Sequence, residues 1–240
     1  MLEGIRTSPI VVGAYTDDAG GICPARELPP RAGARPAAAP LLQGDGAGAL
    51  QRRRGARRLH RQARRRVAAY GLAIARAAGI DVADEPQLEF GFLLHDIGKV
   101  GVPDAILFKP AALSKDEFVR IASHAEIGSE ILRHVDFLAE ATLIVRHHHE
   151  RWDGTGYPDG LRGEQIPLAA RVFAIADTLD ALTTDRPYRR AVGWEAARKV
   201  IHEGAGAQFD PAMIAAYDTL GDDTFARLSE GVHSSSSTER

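Results

Sequence analysis

The chain has 240 residues, 45% hydrophobic and 26% charged, with a formal net charge of −2. That length allows one sizeable core, and the near-neutral balance excludes a global field steering the protein to nucleic acid or to a membrane. Cys23 is the only cysteine, which excludes a disulfide framework and a thiolate metal site. No apolar run reaches membrane-spanning length and the N-terminus lacks a signal-peptide pattern, so the cytoplasm is the expected location.

Residues 1–50 do not read as a domain. Leu2 to Val12 is at most a short strand, and Cys23 to Gly48 is rich in Pro, Gly and Ala with no sustained period. Such a segment cannot bury enough to offset its ordering entropy, so it is expected to be disordered or read from a shifted frame. Nine of the sixteen residues Gln51 to Arg66 are Arg, and no acidic residue occurs from Gly46 to Ile80. This half reads as a solvated basic helix or arm. Val67, Tyr70, Ile74 and Ala78 then follow helical spacing, with Gly79 as the stop.

A helix is expected from Pro86 through the apolar run Leu88 to Leu94, followed by a loop from Val100 to Pro110. Ser114 and Glu117 have capping-box form and open a helix with Phe118 and Ile121 inward, reaching His124. Ile127, Ile131 and Leu132 continue that face after a bend at Gly128. Phe137 to His149 is a further helix, and Trp152 to Pro167 a Gly-rich loop. Pro167 starts a helix to Thr183 with Leu168, Val172, Ile175, Ala176 and Leu179 on one side. Helices near Trp194 to His202 and Pro211 to Leu220 follow, the second capped by Asp210. Residues 221–240 read as a tail, disordered from His233. The fold class is all-α, with residues 51–220 as its domain.

Chemistry concentrates at His95-Asp96-Ile97-Gly98-Lys99. A buried imidazole and carboxylate need partners, and a metal ion satisfies both. Downstream lie His124, His147-His148-His149-Glu150 and Asp177, metal-ligand types spread over several helices as bundle metal sites require. Such a ligand set can hold metal-bound water as a nucleophile and closely spaced cations that neutralise charge. An Asp can bridge two cations, neutral His ligands add no negative charge, and Lys99 supplies a proton or a clamp. His147 is expected on the surface or behind a ligand, Glu150 to orient a ligand His, Trp152 to pack the loop, and Asp180 and Asp185 to hydrogen-bond locally, Asp180 close behind the ligands. His60 and His202 read as incidental.

His95-Asp96-Ile97-Gly98-Lys99, His124, His148 to Pro158, Asp177 and Asp185-Arg186-Pro187-Tyr188-Arg189 together resemble the HD-GYP family, a branch of the HD-domain metal-dependent phosphohydrolases. The likeness runs from about Val67 to Leu220. It implies an all-α HD bundle with a C-terminal extension, two or three divalent metals, iron or manganese, and hydrolysis of cyclic di-GMP by a metal-bound hydroxide. On this resemblance Asp96 bridges the metals, and His95, His124, His148, His149 and Asp177 complete their shells. Lys99 acts with Asp96 at the reacting phosphate, Arg186 and Arg189 hold substrate phosphates, and Gly156, Tyr157 and Pro158 border the pocket. It also implies signalling proteins at the Gly-Tyr-Pro loop and a homodimer as partners. The sensory or receiver domain usual in the family is not legible.

One position departs from the pattern. The family has a metal His four residues before the valine matched by Val67, where this chain has Ala63. Reading the codons of residues 57–63 from their second base permits Asp-Ala-Tyr-Thr-Gly-Arg-His, which restores a His there and motivates a frameshift upstream of about Val67. Taken as written, one metal lacks a ligand. The competing readings are therefore a phosphohydrolase acting on another nucleotide, or a degenerate module that binds without turnover.

Overall fold

The computed structural model describes residues 46–109, 111–185 and 190–235, with side chains from residue 61 to 232. The Leu2 to Val12 strand, Cys23, the side chain of His60, and Arg186 and Arg189 lie outside these described residues.

Among the described residues ten α-helices form the body: α1 Gly46–Ala77, α2 Pro86–Leu94, α3 Asp104–Leu107, α4 Lys115–Ala122, α5 His124–Leu132, α6 Ala139–His147, α7 Leu168–Thr183, α8 Trp194–Glu203, α9 Pro211–Asp218 and α10 Asp222–Ser235. Among the described residues there is no strand, only an isolated bridge between Ala205 and Phe209. The all-α expectation holds. No helix of the described residues is long and apolar enough to cross a membrane.

The local signals act as their chemistry dictates. Gly79, at φ +82°, closes α1: its N–H donates to Arg76 O, and the Ile80 N–H donates to Ala75 O at 3.0 Å. These are the two bonds of the Schellman motif. Ser114 and Glu117 exchange side-chain and backbone bonds at the start of α4. Asp210 accepts from Ala212 N at 2.8 Å to open α9.

Val67, Tyr70 and Ile74 of α1 pack against Val172, Phe173, Ile175 and Leu179 of α7 in the main core, which α8 to α10 close from the far side. Leu132, Leu138, Ala141 and Val145 form a smaller core between α5 and α6. The ends of α2 and α6, the start of α5 and the middle of α7 converge between these two cores.

Several boundaries differ from the sequence reading. The bend after α4 falls at Ser123, not at Gly128. The reason is contact: a Cβ on Gly98 would collide with the His124 carbonyl and Gly128 N, so the turn after Asp96 nests directly on α5. The expected 100–110 loop instead carries a 3-10 turn, Ile97–Gly101, and the short α3. The expected helix to His149 stops at His147, because His148 and His149 lead into a tight loop. Leu168 and Ile131, expected inward, are exposed at 39% and 45%. The stretch 222–235, expected as a tail, is a helix whose Phe225 is fully buried against Tyr70 and Tyr217.

Candidate metal centre

Four histidines and an aspartate meet at this convergence. His95 caps the end of α2 and Asp96 follows it in the turn, His124 opens α5, and His148 and His149 follow α6. The Nδ1 of His95 lies 2.8 Å from Phe92 O, that of His124 2.7 Å from Ile121 O, and that of His148 2.8 Å from Val145 O. A carbonyl oxygen only accepts, so each Nδ1 carries a proton, and a ring that is neutral presents its lone pair at Nε2.

Those lone pairs point at one another. His124 Nε2 is 3.2 Å from His148 Nε2. Candidate ligand nitrogens of His124, His148 and His149 all lie within 4.8 Å of one another. Asp96 joins them, with Oδ1 3.5 Å from His124 Nε2 and Oδ2 3.4 Å from His95 Nε2. Two buried acceptors facing each other at 3.2 Å are unfavourable unless something positive lies between them. Metal–nitrogen bonds of about 2.0–2.1 Å put two ligand nitrogens on the order of 3 Å apart. The donor set therefore fits a cation.

The charges agree with that use. Burial pushes His148 and His149 well below the ordinary imidazole range and lowers His124, so all three are neutral at pH 7. Burial alone would raise Asp96, but the charges of His95 and Lys99 hold its carboxyl well below the usual range. Lys99 Nζ reaches Asp96 Oδ2 at 2.7 Å while remaining about one-third exposed. The charge of Asp177, on α7, acts on both His95 and Tyr157. Phe173 lies beneath, with ring centroids 4.7 Å from His95 and 5.5 Å from His148, and keeps the floor apolar.

The loop from Glu150 to Pro167 covers one side. The Glu150 carboxylate is buried and accepts from the backbone N–H groups of Asp159, Gly160 and Leu161. It shapes the loop and makes no hydrogen bond to a candidate ligand histidine, contrary to expectation. His147 is buried rather than on the surface, and faces away, its Nδ1 3.5 Å from Asp159 Oδ2. Asp159 is itself clamped by Arg146 through two bonds of 2.7 Å. Trp152 packs under the Arg171 guanidinium. Gly156 is buried, Tyr157 stacks on His149, and the Tyr157–Pro158 peptide is cis. Burial pushes the Tyr157 phenol well up, with the charges of Asp96 and Asp177 adding to the effect. Asp180 is committed to Arg66, a buried partner that the sequence reading did not identify, and Asp185 accepts from Ala191 N. His202 pairs with Asp218 on the surface.

The model of the HD domain matches residues 53–213. The chain belongs to the HD-domain family. The His95-Asp96 turn and the Gly156-Tyr157-Pro158 loop mark it as an HD-GYP domain within that family of phosphohydrolases. It is 47% identical over 131 residues to a protein of Vibrio cholerae serotype O1 named cyclic di-GMP phosphodiesterase, covering 52% of this chain and 27% of the relative. It is 40% identical over 151 residues to one named 3'3'-cGAMP-specific phosphodiesterase 3 from the same organism, covering 63% and 33%. The chain thus spans about a third or less of the length of these relatives. The crystal structure of the cyclic GMP-AMP phosphodiesterase V-cGAP3 of V. cholerae superposes with a TM-score of 0.54 at 21% identity, covering 72% of this chain and 48% of that one. That likeness shows the fold.

Proposed function

We propose that this HD-GYP domain hydrolyses the phosphodiester bonds of cyclic di-GMP at a centre of two or three divalent cations, iron or manganese. The observation that carries the reading is the facing pair of lone pairs on His124 and His148, 3.2 Å apart with Asp96 beside them. His95, His124, His148, His149 and Asp177 would hold the cations, with Asp96 shared between two of them. When bound, the cations supply Lewis acidity toward phosphoryl oxygens and acidify water. The chain's own groups do the rest. Lys99, held at Asp96 and open to solvent on one side, places a positive charge where a phosphate enters. The apolar floor under His148 keeps its imidazole neutral and its lone pair available. Arg186 and Arg189, outside the described residues, would hold the outer phosphates.

The relative named for 3'3'-cGAMP favours a second substrate reading, since that dinucleotide carries the same diester chemistry. Ala63 favours a binding module without turnover. One experiment separates these readings: load the purified protein with manganese or ferrous iron, measure bound metal, and follow both dinucleotides. Turnover of cyclic di-GMP supports the leading reading. Preference for 3'3'-cGAMP supports the second, metal with turnover of neither supports the module, and absence of bound metal rejects the centre.

The cytoplasm is the proposed location. Signalling proteins at the loop would meet exposed residues such as Thr155, Asp159, Gly160 and Arg162, because Tyr157 faces inward. Light scattering tests the proposed homodimer.

A further inference from the structure

We propose that Tyr157 is a positioning residue for the ligand His149, fixing its imidazole by ring stacking where the other three histidines are fixed by hydrogen bonds. The inference rests on the metal-centre reading above.

His95, His124 and His148 each lock their ring through Nδ1 to the carbonyl three residues back. Among the described residues, the His149 ring has no such bond. Its neighbours are rings: His148 at 4.1 Å between centroids, His124 at 5.0 Å and Tyr157 at 4.8 Å. Only Tyr157 is close to parallel with it, at 25°, the arrangement that restrains rotation of both planes. A ligand whose orientation is unrestrained loses affinity, which is why partners behind metal-bound histidines matter.

The loop is built to deliver this ring. The Tyr157 N–H donates to the carbonyl of His149 itself, at 3.3 Å. That approach is open only because residue 156 is glycine: a Cβ there would collide with Arg151 N, Glu150 Cα at 2.5 Å and His149 O at 2.6 Å. Three N–H groups on the Glu150 carboxylate hold the return of the loop. Trp152 and Asp153 donate to Gln208 O and Ala207 O, which fixes its start. Phe118 of α4 meets the same ring edge-on, at 5.8 Å and 82°. Glycine and tyrosine at 156 and 157 therefore act on the ligand from behind, in addition to bordering a pocket.

Cobalt(II) is the probe, because its visible spectrum reports ligand geometry without turnover. The full chain is titrated with cobalt beside Tyr157→Phe, Tyr157→Leu, His149→Ala and the double variant His149→Ala with Tyr157→Leu. Tyr157→Phe, which keeps the ring, should match the parent in affinity and spectrum. Tyr157→Leu should lose about tenfold or more in cobalt affinity, with an altered spectrum. In the His149→Ala background, Tyr157→Leu should cause no further loss, since the tyrosine acts through that imidazole. Equal affinity and spectrum for Tyr157→Leu and the parent would overturn the proposal, as would additive losses in the double variant. Loss of helical signal in metal-free Tyr157→Leu would overturn it too, by making the ring a residue that holds the fold. If the parent binds no cobalt, the metal-centre reading itself fails and this proposal falls with it.

Discussion

Arg66 on α1 and Asp180 on α7 form an ion pair, Nε to Oδ1 at 2.6 Å, with side chains only 5% and 3% exposed. Tyr70, one turn further along α1, lies by Thr183, about one turn further along α7. The two helices therefore advance in the same sense. Counting back one turn from the ion pair brings Ala63 to the level of Asp177. The pair both ties α1 to the core and sets the register of α1 against α7.

Removing one partner of a buried pair strands the other charge. Asp180→Ala should destabilise the protein by about 3–5 kcal/mol. Urea unfolding measures it, and a loss below about 1 kcal/mol, the range of exposed pairs, would mean that water reaches Arg66.

Ala63→His should raise bound metal and hydrolysis together, because the register places the new imidazole beside Asp177. Replacing Arg58 to Ala63 with Ala-Tyr-Thr-Gly-Arg-His should do better, since the neighbouring residues are restored as well. Position 63 lies inside the stretch matched to the HD domain. Unchanged metal stoichiometry in both variants would show that position 63 is not a ligand site. Resequencing codons 50 to 70 tests the frameshift, and an in-frame alanine codon without a length change rejects it.

Asp96→Ala should abolish metal binding and hydrolysis. Asp96 approaches His95, His124 and Lys99 together, and its loss removes the carboxylate that lies between those imidazoles. Full metal occupancy in the variant, measured by elemental analysis, would refute the shared-ligand role.

The metal-free protein should lose stability on acidification. Burial places the folded pKa of His148, His149 and His124 below the unfolded value of about 6.5. Below that value the unfolded chain binds protons that the native rings refuse, so stability is lost as pH falls from about 6.5 toward the folded values. His95 runs the other way: burial would lower it, but Asp96 raises it, so its contribution is present at low pH and lost as pH rises. Three groups against one give a net fall, with a slope up to about 1.4 kcal/mol per pH unit for each uncompensated group. Thermal melts in chelator from pH 7.5 to 5 are the measurement, and a flat or rising profile on acidification would contradict the assignment.

Gly98→Ala should weaken metal binding as well as stability. Its Cβ would force the turn after Asp96 away from the His124 carbonyl and lengthen the approach of Asp96 to His124. Calorimetric metal titration checks it, and parent-like affinity would show that the turn has room to shift without moving the carboxylate.

The sequence by itself determined the helices with strong local signals. Gly79 ends α1, Ser114 and Glu117 open α4, and Asp210 opens α9, because caps act through bonds between residues a few positions apart. It also named candidate ligands, since a His-Asp pair after an apolar run and a His-His-Glu run carry their chemistry in their types. Only the tertiary structure decided what depends on distance across the chain. The proton on each Nδ1 follows from a carbonyl one turn back, but the meeting of His124 with His148 needs α5 and α6 packed together. Arg66 looked like one more charge in a basic run until α7 brought Asp180 to it. Glu150 looked like a ligand's partner until the loop folded three N–H groups onto it. Phe225 looked like part of a tail because Phe225, Leu228 and Val232 make only a thin apolar stripe in a polar stretch; its place was decided by Tyr70 and Tyr217 from two other helices. Local pattern reports what a residue can do, and packing selects which of those options it takes.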